Sequence, residues 1–519
     1  MDRRDFLRIS AATAAASAAG ARTLQADVPV HLWENYDFGP GPAVPDRLNQ
    51  GPFGEDEVQS WATIAYSSPS AAHIRNYGTG LVGYTWEEGG PSLAARRGKE
   101  SLEQHVDKLS ALPFVDLLYI RCDWRDVQKS PGRLDLHPIW KLTLDAARER
   151  DLRVSFRVML SNTVGQPQHL AMPDFLQDKV PVVNIGKRPG ADFEYREPRY
   201  DHPEFIRAFR ELNELLAARL DDDPVVEFMD LMMYGFWGEG HTSGCANPIP
   251  DYPTAERTFI EITRLQLDAW KKTQLAVNTQ PDGSRAGNNE VVDMVVRDHG
   301  WLRSDSIVHD EPIQIERLAN RPPWCAVAME QGWRRDHDVD QIPVDEAGFN
   351  AKEKSMLMAL NIRSNYWALW TEADNLARYN ERYPNGIAAL QKSLGWRVRP
   401  AWAWQRERWG VPELIFGFAN DGVAGVPGVL KLNLASLDGA FRFSGCLDAG
   451  RPFGGGVRQA GFLLPESAYG AKIKLTAELI TKGGATRPVK WTCAQPLLPD
   501  GGFPVQLREK GKLVWGEVF

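Results

Sequence analysis

Between about residues 81 and 375, short apolar runs alternate with charged segments whose apolar positions recur three and four residues apart. A short apolar run bounded by turn residues marks a strand covered on both faces, and the second spacing marks a helix with one buried face. Eight such runs stand out: Leu81–Trp86, Val115–Arg121, Arg153–Met159, Glu227–Tyr234, Gln274–Asn278, Ser306–His309, Cys325–Glu330 and Asn365–Trp370. Helical patterning is clearest over Leu136–Arg150, Pro203–Leu220, Tyr252–Lys272 and Ala351–Asn361, with Asp201 and Asn350 as N-cap candidates. Eight strands interleaved with helices over about 300 residues predict an α/β fold, a (β/α)8 TIM barrel. A doubly wound sheet would call for a Gly-rich phosphate loop after the first strand; the chain has Glu87-Glu88-Gly89-Gly90-Pro91 there.

The texture changes on either side. Residues 27–80 are rich in Gly, Pro, Asn and Ser and predict an irregular lead-in. The barrel with a helical connector (around Gly386–Trp409) is expected to fill 81–411. From 412 to 519, alternating strands between Gly, Asn and Pro turns predict a C-terminal antiparallel β-sandwich domain: Leu414–Phe418, Gly428–Leu434, Ala440–Phe443, Ala471–Leu479, Val489–Cys493 and Val505–Leu507. Its expected role is packing against the barrel.

The N-terminus carries Asp2-Arg3-Arg4-Asp5-Phe6-Leu7-Arg8 and then an Ala-rich, weakly apolar stretch from Ile9 to Ala21. This resembles a twin-arginine export signal, which implies a periplasmic or extracellular protein with residues 1–26 removed. The stretch is too short to anchor a membrane, and no run of about 20 apolar residues follows it.

Composition narrows the function. The net charge is −8, and removal of residues 1–26, with four Arg and two Asp, leaves −10. An acidic body without basic clusters argues against nucleic-acid binding, which needs Lys and Arg to displace counterions. The five Cys form no C-x-x-C pair or zinc-spaced cluster, so no metal or other cofactor is expected. Their odd number excludes complete intramolecular pairing; Cys446 and Cys493 are the pair that could bridge, against an expectation of buried free thiols. Eighteen Trp are divided between two readings, core residues and stacking platforms for the apolar face of a sugar ring.

Catalytic groups of a barrel of this kind sit at the C-terminal ends of its strands. There the chain places Trp86, Asp123, Trp124, Asn162, Trp237, Glu239, His241, Asn278, His309, Glu330, Trp333, Trp367, Trp370 and Glu372, with Arg157 projecting from the third strand. Carboxylates, amides, His and Trp suit a polyhydroxylated ligand, so a carbohydrate is the expected partner. Glu239 and Glu330 end the fourth and seventh runs, which lie across a barrel from each other. Cleavage of a glycosidic bond with retention uses two carboxyl groups about 5–5.5 Å apart.

Several of these stretches resemble clan A, the retaining (β/α)8 glycoside hydrolases that include β-galactosidases. They are Tyr234-Gly235-Phe236-Trp237-Gly238-Glu239-Gly240-His241, Ala326-Val327-Ala328-Met329-Glu330-Gln331-Gly332-Trp333, and the unit Arg121-Cys122-Asp123-Trp124 followed by Ser130-Pro131-Gly132-Arg133-Leu134-Asp135 and Arg153–Val158. The resemblance implies that Glu239 is the acid/base and Glu330 the nucleophile, with Trp367 or Trp370 as the strand-eight Trp. The clan carries Asn before the acid/base, and this chain has Gly238; Asn162, Asn278 or His241 would then hold the sugar 2-hydroxyl. In this reading Phe236 and Trp237 desolvate Glu239 so that it keeps a proton, while Arg121 or Arg157 keeps Glu330 ionised. The alternatives are a glycan-binding barrel that has lost catalysis, which Gly238 favours, and a polysaccharide lyase or metal-dependent hydrolase built on His241, His309 and Asp310.

Overall fold

The computed structural model describes residues 61–91, 98–240, 242, 244–279, 288–306, 312–331, 339, 342, 350–369, 371–447 and 457–511. Residues 1–26 and the lead-in to residue 60 lie outside this set.

Eight parallel strands form the centre: β1 (Gly80–Glu87), β2 (Leu117–Asp123), β3 (Arg153–Met159), β4 (Val226–Asp230), β5 (Gln274–Asn278), β6 (Trp301–Ser306), β7 (Val327–Glu330) and β8 (Tyr366–Leu369). Each pairs with the next, and β8 closes on β1 through Tyr366↔Gly80 to Leu369↔Gly83. The sheet is therefore a closed (β/α)8 barrel. Helices α1 (Leu102–Ser110), α2 (Pro138–Glu149), α3 (Pro203–Leu220), α4 (Tyr252–Ala269), α5 (Asn288–Arg297), α6 (Pro312–Ala319) and α7 (Ala351–Asn361) are inserted between successive strands. α8 (Ala373–Arg382) and α9 (Pro384–Ser393) follow β8.

Local chemistry fixes the helix starts. Ser101 and Gln104 form a reciprocal capping box at α1, and Asn350 accepts from the Glu353 N–H at 2.9 Å as expected. Asp201 does not cap α3. His202 does so through its ring nitrogen, because Asp201 is bound by the guanidinium of Arg199.

The alternation along each strand sorts its side chains. On β2, Leu117, Tyr119, Arg121 and Asp123 share the interior face, while Leu118, Ile120, Cys122 and the following Trp124 turn outward to the helices. Two expectations about strands are corrected. The sixth strand spans Trp301–Ser306 and ends where the expected run begins, since its alternation puts the polar Arg303 indoors and breaks the apolar signal. The connector is helical only to Ser393; Val398–Arg408 is a strand, β9.

β9 pairs on one side with a strand from the lead-in, Trp61–Tyr66, which the composition of 27–80 hid, and on the other with β10 (Val411–Asn420). β11 (Val429–Ser436), β12 (Arg442–Leu447), β13 (Val457–Leu463), β14 (Lys472–Ile480), β15 (Thr486–Val489) and β16 (Phe503–Gln506) complete the C-terminal domain. The four-stranded sheet of Trp61–Tyr66, β9, β10 and β13 and the five-stranded sheet of β12, β11, β14, β15 and β16 are antiparallel. Leu414 and Phe416 of one sheet and Leu432, Leu475 and Leu479 of the other share a core that runs into the floor of the barrel at Leu117, Phe228 and Trp301. The sandwich therefore sits beneath the N-terminal ends of the strands, leaving the opposite mouth to chemistry.

Candidate active site

The barrel interior is apolar at its floor and charged at its mouth. Tyr119, Arg121, Arg157, Asp230, Arg303 and Glu330 project inward from β2, β3, β4, β6 and β7, and Glu239 joins them from the loop after β4. That loop is tightly wound: Gly235, Trp237, Gly238 and Gly240 all have positive φ (84°, 59°, 72° and 83°). A Trp in that region is strained and persists only where its surroundings hold it. Trp237 packs with Met159, Ile185, Tyr195 and Phe236, its backbone N–H donates to the Ser161 carbonyl at 2.8 Å, and the Arg188 guanidinium lies 4.9 Å from its ring centre.

The same loop explains Gly238. Its φ of +72° disfavours a side chain, and a Cβ built there would stand 3.2 Å from Arg157 Cδ. Arg157 thus crowds the space beside the turn. Asn278 lies close by: its Nδ2 donates to the Glu239 carbonyl at 2.9 Å, and its buried Oδ1 has no hydrogen-bond partner among the described residues.

Three guanidinium groups converge on Glu239 Oε1: Arg121 Nη2 at 2.5 Å, Arg157 Nη1 at 2.6 Å and Arg303 Nη1 at 3.2 Å. The other terminal nitrogen of Arg303 donates to Glu330 Oε2, so one guanidinium spans the two glutamates. Arg121 Nη1 stands 3.6 Å from both Glu330 Oε1 and Glu88 Oε1. Below them Asp230 Oδ2 accepts from Arg157 Nη2 (2.7 Å), Arg303 Nε (2.9 Å) and the Tyr119 hydroxyl (2.5 Å). Burial alone would loosen the protons of Arg121 and Arg303, but the carboxylates around them hold both pKa values well above the usual guanidinium value.

Glu239, expected as the proton donor, meets three charge-assisted donors in the fold. Arg157 is 1% exposed and bound to Asp230 and Glu239, so it braces the site. Glu330 takes its closest cation contact from Arg303, with Arg121 Nη1 at 3.6 Å.

Four aromatic platforms were expected among the described residues, and three are core. Trp124 is fully buried against Phe205 and Phe209, its N–H bound to Gln128. Trp367, also fully buried, turns outward from β8 into the helical layer. Trp86 is thrown outward by a bulge after Tyr84 and meets His137 edge-on. Trp237 is the one in the mouth. Glu372 begins α8, half-buried and outside the arginine cluster. His241, His309, Trp333 and Trp370 lie outside the described residues. Among the described residues no group of three His, Cys, Asp or Glu is arranged to hold a metal ion.

Asp123 and Asn162 do meet. Asn162 Nδ2 donates to Asp123 Oδ1 at 2.9 Å and to the Glu88 carbonyl at 2.6 Å. Burial, with the negative charges of Asp126 and Glu88, pushes the Asp123 pKa from 3.8 up to about 8 against the pull of Asn162 and Arg125. Deeper in the loop layer Glu197 accepts from the hydroxyls of Ser161 and Tyr200, and burial raises it to about 7.

No family model and no curated protein matches the chain. Solved structures of similar shape include an exo-β-1,4-mannosidase from Opitutaceae bacterium strain TAV5 (14% identity, 64% of this chain and 58% of that chain, TM-score 0.34). Others are a β-galactosidase from the psychrophilic Marinomonas ef1 (13%, 60% and 59%, 0.36) and endo-glycoceramidase II from Rhodococcus sp. (12%, 77% and 99%, 0.37). The chain spans about three fifths of the first two. What it shares with these glycosidases is the barrel fold, which its own strand pairing establishes.

Proposed function

We propose that the protein is a glycoside hydrolase acting on an extracytoplasmic glycan or oligosaccharide, with Glu330 as the carboxylate that meets the anomeric carbon. The observation that supports this best is the pairing of Glu239 and Glu330 across the single guanidinium of Arg303 at the barrel mouth. Two carboxylates bridged by one guanidinium, in a site with further carboxyl groups nearby, suit the two-carboxylate chemistry of glycosidic cleavage. Arg303 donates to Glu330 and Arg121 stands 3.6 Å from it, so both sit where they orient its carboxylate. Asn278, with its acceptor oxygen unused, is suited to receive a sugar hydroxyl.

A glycan-binding barrel without turnover is the second reading, favoured by the three arginine contacts that restrain Glu239. Hydrolysis of a panel of aryl α- and β-glycosides and natural oligosaccharides separates the two. Turnover of one glycoside, undiminished by a chelator, supports the hydrolase; saturable glycan binding without turnover supports the binding protein.

Export by the twin-arginine route is part of the proposal and rests on Arg3 and Arg4. A reporter carrying residues 1–26 is expected in the periplasm, and Lys at both positions is expected to retain it in the cytoplasm.

A further inference from the structure

We infer that Asp123, and not Glu239, carries the proton that the leaving sugar oxygen receives. This deepens the reading of the site as a glycosidase and rests on it. Asp123 lies two residues beyond Arg121 on the interior face of β2, at the last position before the chain leaves the barrel, and is 7% exposed. Its one side-chain partner among the described residues is the neutral amide of Asn162. The charged groups facing it are Asp126 and Glu88, both acidic, and the cation Arg125. Arg125 is directed elsewhere, to the Leu170 carbonyl and to Asp174.

The contrast with the neighbouring glutamates is one of counter-ions. Among the described residues, Glu239 touches three guanidinium groups and Glu330 touches Arg303, whereas Asp123 touches none. Carboxyl groups in one site whose surroundings favour opposite protonation states divide the acid and base work between them. The amide of Asn162 holds Oδ1 and fixes the plane of the group, which leaves Oδ2 for the proton.

The step then balances. Asp123 gives its proton to the glycosidic oxygen as the bond from that oxygen to the anomeric carbon breaks, and the bonding pair stays with the oxygen. Glu330 bonds to the anomeric carbon. In the second half, water attacks that carbon, Asp123 takes the proton the water sheds, and Glu330 leaves as a carboxylate.

The test compares wild type, Asp123→Asn and Glu239→Gln on aryl glycosides with dinitrophenyl and phenyl leaving groups, across pH. Asp123→Asn is expected to lower kcat/KM on the phenyl glycoside by about 10²–10⁴-fold, the usual worth of general acid catalysis. It should leave kcat/KM for the dinitrophenyl glycoside, whose leaving group needs no proton, nearly unchanged, while kcat falls because the base of the second half is lost. The alkaline limb of the wild-type pH profile, expected near 8, should vanish in the variant. An infrared titration provides a readout without substrate: a protonated carboxyl band that titrates near 8 should be missing from Asp123→Asn, while the band of Glu197 near 7 remains. Equal losses on both leaving groups, the leaving-group pattern appearing in Glu239→Gln instead, or an infrared spectrum unaltered by Asp123→Asn would each overturn the assignment. A wild type that hydrolyses no glycoside would bring down the glycosidase reading and this inference with it. Turnover without leaving-group discrimination in Asp123→Asn would bring down this inference alone.

Discussion

Replacing Glu239 by Gln probes the arginine cluster with almost no change of shape. The carboxylate is 1% exposed and meets three guanidinium groups between 2.5 and 3.2 Å. At an effective dielectric of about 20, each attraction is worth about 4 kcal/mol. Glu330 and Asp230, which share those arginines, oppose it with repulsions of about 3 kcal/mol each at the same dielectric. The net of about 6 kcal/mol is reduced again because Gln escapes the desolvation of a buried anion. The expected loss is therefore about 3–5 kcal/mol, the range found when one partner of a buried ion pair is removed. Equilibrium denaturation of the barrel, followed through the fluorescence of its buried Trp residues, measures it. Arg157→Met in the Glu239→Gln background should cost much less than in wild type, because the two share the contact. A loss below about 1 kcal/mol with additive double-mutant effects would refute the claim that Glu239 is an anion held by three cations.

Other consequences are open to measurement. Gly238→Ala should destabilise by about 1–2 kcal/mol, the cost of a left-handed backbone for a residue with Cβ, and Gly238→Asn by less, since Asn tolerates that region; equal stability of all three would contradict the positive φ. Asp123 has a folded pKa above its unfolded one, so the folded chain keeps a proton that the unfolded chain releases. Its contribution to stability should fall as pH rises from about 4 to about 8, and Asp123→Asn should gain on wild type across that window; parallel pH–stability curves would refute it. All five thiols are free and only Cys446 is exposed, so thiol titration of the native protein should find Cys446 reacting first, and a reductant should leave thermal stability unchanged.

The barrel was legible because its strands are apolar on the outer face and at the floor of the inner one, and eight such runs interrupted by helices have few other solutions. Trp301–Ser306 escaped because Arg303 and Asp305 interrupt the apolar run, and with it went the residue that joins the two glutamates. The aromatic residues misled for a related reason. Position at a strand end does not tell inside from outside, and the bulge after Tyr84 reverses that parity for Trp86. Trp124 and Trp367 occupy outward positions that the alternation of β2 and β8 already implied. Glu239 and Glu330 were found from their places at opposite strand ends. Their charge environment was not readable, because it depends on which of several inward arginines reaches which carboxylate. Gly238 departs from the resemblance; in the fold it sits where the turn takes a positive φ beside Arg157.

The most direct test of the central claim is azide rescue of Glu330→Ala on the aryl glycoside that the wild type hydrolyses best. The account predicts that activity disappears in the variant and returns with azide, giving a glycosyl azide of inverted anomeric configuration, because the small anion enters the space of the missing carboxylate. Turnover unchanged by the substitution, or a variant that azide does not revive while its fold is intact, would contradict Glu330 as the group that meets the anomeric carbon.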